Sequence, residues 1–130
     1  MSNGVFITIQ ALLAEPTVTA VVGDRIHPVR APQGDTLPNI VVHLIAEPVD
    51  PLLCEDAPVS RVQIDSRAGD ATTAITLGET VNATLNAINN QTIATKRATF
   101  QKGGSDVTGE NDKADTIIRS TDFDVHWWNS

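Results

Sequence analysis

Apolar positions near the start of the chain fall at Val5, Ile9, Leu12 and Leu13, a spacing of i, i+4, i+7 and i+8 that places them on one face of a helix. Ser2 or Asn3 can cap it, because a short polar side chain accepts from the unpaired N–H groups of a first turn. Pro16 suits the first turn of a second helix, where its missing N–H has no partner to lose. Thr17 to Val22 continues that helix to Gly23, a residue free to take the left-handed backbone of a C-cap. Together the segments predict a bent helical hairpin. After Asp24 the helical spacing stops, and Pro28, Pro32, Gly34 and Pro38 punctuate a stretch with one short extended piece, Arg25 to Val29. Asn39 to Ala46 (NIVVHLIA) is apolar or β-branched at even and odd positions alike, which predicts a strand covered on both faces.

Pro48, Pro51 and Pro58 enclose an acidic loop that holds Glu47, Asp50, Cys54, Glu55 and Asp56. Val59 to Arg67 then alternates, with Val62 and Ile64 on one face and Arg61, Gln63, Asp65 and Arg67 on the other, as a half-buried strand does. Asp70 is a good N-cap for the longest helix, predicted to run to about Asn89. Its stripe is Ala74, Leu77, Val81, Leu85 and Ile88, with Thr73, Thr76, Glu79, Asn82 and Asn86 facing water. Gly78 weakens this helix by about 1 kcal/mol relative to Ala without breaking the pattern.

The remainder reads as a polar strand (Thr92 to Lys102), a long polar loop (Gly103 to Lys113, with Val107 its one apolar residue) and a closing strand (Thr116 to Trp128). On the closing strand Phe123, Val125 and Trp127 share a face suited to packing beneath a helix, while His126 and Trp128 share the other. Neighbouring strands joined by short polar connections imply an antiparallel sheet of four to five strands. With the long helix and the N-terminal pair on one face, the expected fold is an α+β two-layer sandwich in a single domain over residues 1–130.

Charge and composition narrow the function. Nine Lys and Arg stand against sixteen Asp and Glu, a formal net charge of -7 in 130 residues, so a protein that grips a phosphate backbone is excluded. A single cysteine excludes an internal disulfide framework and a multi-cysteine metal site. Apolar residues make up 41% of the chain, enough for a packed core. Val5 to Leu13 lacks a basic flank and is far shorter than the roughly 20 residues of a membrane span, so neither a signal nor an anchor is expected.

Side-chain chemistry gives catalysis little support. His27, His43 and His126 are scattered, each on or beside a predicted strand, and His43 reads as a packed strand residue. Gly103-Gly104-Ser105 lacks the Lys of a phosphate loop, and Cys54 has no neighbouring His or Cys and reads as a free thiol. Asp122 and Asp124 point to one face at period two, as solvated strand residues do. No enzyme, cofactor or metal is expected. Two features suit binding instead. Gly103 to Lys113 is a loop of a length that is functional or a plain mobile hairpin tip, and Trp128, if exposed at a sheet edge, would be an interface anchor.

Val22-Gly23-Asp24-Arg25-Ile26-His27-Pro28, Ala31-Pro32-Gln33-Gly34 and Leu37-Pro38-Asn39-Ile40-Val41-Val42 carry a family resemblance. With the preceding helix, and more weakly Arg61 to Asp65 and the helix after it, they resemble the tail-completion or tail-terminator proteins of long-tailed phages, prophages and gene transfer agents. His27 and Asn39 stand where relatives often carry an aromatic. In physical terms the motif is structural: Gly23 caps a helix, Asp24 turns the chain, Arg25 pairs with a neighbour, and Pro28, Pro32 and Pro38 pin an extended segment beside Ile26 and Gly34.

The resemblance implies a virion assembly protein put together in the bacterial cytoplasm. Its subunits would form a homo-oligomer, a hexameric ring, on the head-proximal end of the tail tube. The ring would stop tube polymerisation and join tail to head connector, in contact with the tube protein and a connector or stopper protein. A head-side connector of the neck is the alternative. DNA would pass through such a ring without specific binding, and no membrane is involved. Gly103, Gly104, Asp106, Glu110 and Trp128 are then candidate interface residues. Glu47, Asp50, Glu55, Asp56 and Asp112, with Asp106 and Glu110, are candidates to face the bore, where carboxylates would repel the passing phosphates over about 8 to 10 Å.

Overall fold

The structure is a computed structural model that describes residues 3–30, 36–46, 59–111 and 116–129. Helix α1 (Asn3–Leu13) and helix α2 (Pro16–Val22) meet at a bend of 87°. Glu15 caps α2 by accepting from the Thr17 amide at 3.3 Å, and Gly23 ends it at φ 61° while donating its N–H to Thr19 O at 2.8 Å. The predicted one-sided stripe of α1 is in fact nearly a full belt: Val5, Ile7, Thr8, Ile9, Ala11 and Leu12 are all buried. The cause is position, since α1 touches five strands as well as α2 and the third helix. Thr8 is tolerated there because its hydroxyl donates to Gly4 O at 2.7 Å. Among the described residues no single helix is long and apolar enough to cross a membrane.

Strand β1 (Ile26–Pro28) pairs in parallel with β2 (Asn39–Ala46), Ile26 opposite Ile40. Strand β2 pairs antiparallel with β3 (Val59–Ala68), which leads into helix α3 (Ala71–Asn86). Among the described residues, strands β4 (Gln91–Ile93), β5 (Lys96–Asn111) and β6 (Thr116–Asn129) complete a six-stranded sheet in the order β1-β2-β3-β6-β5-β4. The expectation of four to five antiparallel strands is corrected in both respects. One cause is the β1–β2 pair, where the proline-rich crossover returns the chain in the same direction. The other is that Thr92 to Lys102 is no single strand: Ala94 and Thr95 at φ 50° and 72° fold it into a tight turn between β4 and β5.

The predicted loop Gly103 to Lys113 is likewise corrected, because β5 runs on as paired strand to Asn111 opposite Thr116. Its polar composition reflects exposure, whereas ladder hydrogen bonds require no apolar side chain. Helix α3 ends at Asn86 and not near Asn89, yet Ile88 remains 7% exposed and completes the expected stripe. Strand β2 is covered on both faces only from Asn39 to Val42, and Leu44 and Ile45 are 43% and 51% exposed. Val62, Ile64, Phe100, Phe123 and Val125 form the sheet side of the core, with Leu12, Val18, Leu77, Val81 and Leu85 from the helices. Phe100 and Phe123 meet edge to face with centroids 6.3 Å apart.

Candidate interaction surfaces

Beyond Phe100 the β5–β6 hairpin carries a bulge. Lys102 lies opposite Phe123 and Asp106 opposite Thr121, so β5 advances four residues while β6 advances two. Gly103 permits this, because a Cβ there would lie 2.5 Å from Asp122 Oδ2. Arg119 fixes the bulged segment. Its Nε donates to Asp106 Oδ1 at 3.0 Å and its Nη2 to Asp106 Oδ2 at 2.9 Å, a bidentate pair, and its Nη1 donates to Ile75 O in α3 at 2.8 Å. The Arg119 hydrogen bonds hold the Asp106 carboxyl below its usual value and push the Arg119 guanidinium up in turn. Lys102 adds an ion pair to Asp106 at 3.5 Å. Past this clamp Val107 is 58% exposed.

On the sheet surface away from Val62 and Ile64, polar side chains of β2, β3 and β6 form a network around Asp65. His43 Nε2 lies 2.9 Å from Asp65 Oδ2, Gln63 Nε2 donates to Asp65 Oδ1 at 3.0 Å, and the Ser120 hydroxyl donates to the same oxygen at 2.6 Å. Alongside, Arg61 Nε lies 3.3 Å from Asp124 and 3.7 Å from Asp122. His43 is therefore no core residue but half-buried on this polar surface, a correction that follows from the alternation of β2. Every strong acceptor here already has a donor, which suits a cross-strand brace better than acid–base chemistry. Among the described residues no three His, Cys, Asp or Glu side chains are grouped to hold a metal ion.

A third feature escaped sequence reasoning, an open cleft of about 440 Å³ where the ends of α1 and α3 meet β4. Gln10, Glu15, Thr84, Ala87, Thr92 and Ala94 are among its walls. Nothing in hydrophobic spacing marks these positions, since the cleft arises from the β4–β5 turn that the pattern concealed.

The model of the family described as tail completion protein gp17 matches residues 8–129. The chain belongs to the tail completion protein gp17 family. No curated protein matches the sequence. Among solved structures, a chain of the structure described as the virion of a native gene transfer agent particle matches with a TM-score of 0.67 at 19% identity. The match covers 94% of this chain and 92% of that one. At that identity the likeness is one of fold.

In this gp17-family chain the described motif residues join α2 to β2. Arg25 Nε donates to Pro38 O at 3.0 Å and Nη2 to Val21 O at 3.4 Å, tying the end of α2 to the start of β2. Ile26 is buried, and Ile40 N donates to Arg25 O at 2.9 Å. Asp24 is exposed and accepts through its carbonyl from Ile26 N at 2.8 Å. Pro32 and Gly34 lie outside the described residues, as do Glu47, Asp50, Cys54, Glu55, Asp56 and Asp112, and the Glu110 side chain.

Gly103, Gly104 and Asp106 come together at the bulge, but Trp128 does not join them. It is half-buried, opposite Arg97 on a strand that is not an edge of the sheet, which corrects the expectation of an exposed edge residue. Its neighbour Trp127 donates Nε1–H to Ser60 Oγ at 3.2 Å and lies under Lys96 at 5.6 Å. Arg119 was missed, although Gly78 inside an apolar helix stripe signals the close approach that Arg119 makes.

Proposed function

We propose that this phage tail structural protein is a tail terminator. It would act as a single-domain subunit of a homohexameric ring that caps the head-proximal end of the tail tube, halts polymerisation and receives the head connector. The observation that carries the reading is the family match over residues 8–129. The gene transfer agent virion chain supports a place in the particle through its fold, and a sheet with two different edges suits the head-to-tail contact of a closed ring. The role is stoichiometric assembly in the host cytoplasm, with neither turnover nor cofactor. Net charge -7 multiplied around a ring would keep transiting DNA from adhering.

A lysate lacking this protein tests the reading. Terminator function predicts overlong tail tubes and DNA-filled heads without tails. Tails of normal, capped length beside heads unable to join would instead assign the chain to the head side of the neck. Acidic residues lining the bore are a separate expectation, which fails if a ring structure places Glu47, Asp50, Glu55, Asp56, Asp106, Glu110 and Asp112 on its outer rim.

A further inference from the structure

Two strained turns stand at opposite edges of the sheet. After β1, Val29 has φ 68°, a left-handed backbone that a β-branched residue takes only under constraint. Its amide donates to Val42 O at 2.9 Å and the next amide to Pro28 O at 2.7 Å, which locks a tight turn. The turn directs two side chains outward: Val29 is 68% exposed, and Arg30 is exposed beside it. Arg25, Arg61, Arg97, Lys102 and Arg119 are all engaged by carbonyls or carboxylates, whereas the Arg30 side chain, like that of half-buried Arg67, makes no hydrogen bond or ion pair with the described residues.

At the far edge Ala94 and Thr95 turn the chain at φ 50° and 72°, and Ala94 shapes one wall of the α1–α3–β4 cleft. Helices α1 and α3 both end there, and neither has a basic residue in its last turn. A helix C-terminus carries about half a negative charge, so two of them converge here, with Arg97 reaching the rim through Thr92 Oγ1 at 3.4 Å and Asn90 O at 2.7 Å. Glu15 adds a full charge. Oε1 accepts from the Thr17 amide and hydroxyl, and Oε2 has no partner among the described residues. Among the described residues no Lys or Arg lines the cleft. One edge of the molecule thus offers an unpaired cation beside an exposed apolar side chain, and the other a negative recess with apolar walls at Ala11, Ala87 and Ile93.

We infer that Arg30 of one copy of this chain docks in the α1–α3–β4 cleft of the next copy, its guanidinium against Glu15 and the two helix ends, with Val29 on the apolar wall. The inference rests on the ring proposed above and assigns the faces that close it. Unlike patches at opposite edges make the contact heterologous, so each copy uses both and the chain of contacts can close.

The test uses the full chain. Arg30→Glu should shift the ring to monomer in mass photometry while leaving the circular dichroism spectrum of the folded chain unchanged, because Arg30 makes no hydrogen bond or ion pair within its own fold among the described residues. Mixing Arg30→Glu with Glu15→Lys subunits should recover larger species. Since Glu15 also caps α2, an independent arm uses Arg30→Cys with Ala94→Cys in a Cys54→Ser background. Oxidation should then give a ladder of linked subunits ending at the closed ring. A ring that persists in Arg30→Glu, together with no ladder, overturns the docking assignment and leaves the ring standing. A wild-type chain that is monomeric both alone and on tail tubes overturns both.

Discussion

The aliphatic stem of Arg119 crosses α3 at Gly78 so closely that a Cβ on Gly78 would overlap Arg119 Cδ. Glycine inside a helix ordinarily costs about 1 kcal/mol relative to alanine. At this position the order is reversed by packing, because Arg119 is pinned at three points, by Asp106, by Ile75 O and by Glu79 at 3.9 Å. Gly78→Ala should therefore lower the melting temperature. In an Arg119→Ala background the same substitution should raise it, since only helix propensity then remains. Thermal melts of the four proteins complete the cycle, and additive effects would refute the coupling.

The Asp106–Arg119 pair makes a statement about pH. Asp106 is held below its usual value first by the Arg119 hydrogen bonds, so its folded-state pKa lies under the unfolded one. A depressed carboxyl contributes stability that is complete above the unfolded value, about 3.9, and is lost as pH falls through the folded value. Asp70 shifts in the same direction, chiefly because it accepts from the Thr73 amide at 2.9 Å. Asp106→Asn should thus be less stable than the wild type at pH 7, by about 1 kcal/mol after solvent screening. At a pH below the folded-state value the two should converge. Urea midpoints at both pH values check this, and a gap unchanged with pH would place the contribution elsewhere.

What sequence reading recovered and what it lost divide along one physical line. The α3 stripe, the alternation of β3 and the termini of α2 were legible because burial imposes a period on apolar residues. The β4–β5 turn was not, since Ala94 and Thr95 carry none of the Gly, Asn or Asp that normally marks a left-handed turn. With that turn hidden, the sixth strand and the cleft beside it were hidden too. Gly103 to Asn111 was misread for the complementary reason, that an exposed strand held by backbone hydrogen bonds leaves no apolar trace. The candidate acids fared differently, as most lie outside the described residues and the sequence remains their one source.

The two adjacent tryptophans should separate cleanly under mutation. Trp127 packs against the core and donates to Ser60 Oγ, on a serine that is fully buried. Trp127→Phe keeps the ring and removes the donor, with an expected loss of about 1 kcal/mol. Trp128→Ala lies on the opposite face and should lower stability less. If instead Trp128→Ala alters the oligomer mass without moving the melt, the residue is an interface anchor despite its half-burial. An unchanged mass with normal tail joining removes it from the interface.

Strand β5 makes the last prediction, for the isolated subunit. On one side it is paired with β6 as far as Asn111, while β4 covers its other side only from Lys96 to Ala98. The Phe100 amide is still used, by Ile88 O at 3.2 Å, but from Gln101 onward no strand flanks that outer side among the described residues. In an antiparallel ladder successive residues direct their N–H groups alternately to the two sides. Hydrogen exchange should therefore alternate along β5 in the free protein, slow at amides directed to β6 and fast at those directed outward, with the bulge at Gly103 interrupting the phase. If the outer side is covered on assembly, only the fast set should slow. Uniformly fast exchange from Gly103 to Asn111 in the free chain would show that the arm forms on assembly and is not preformed.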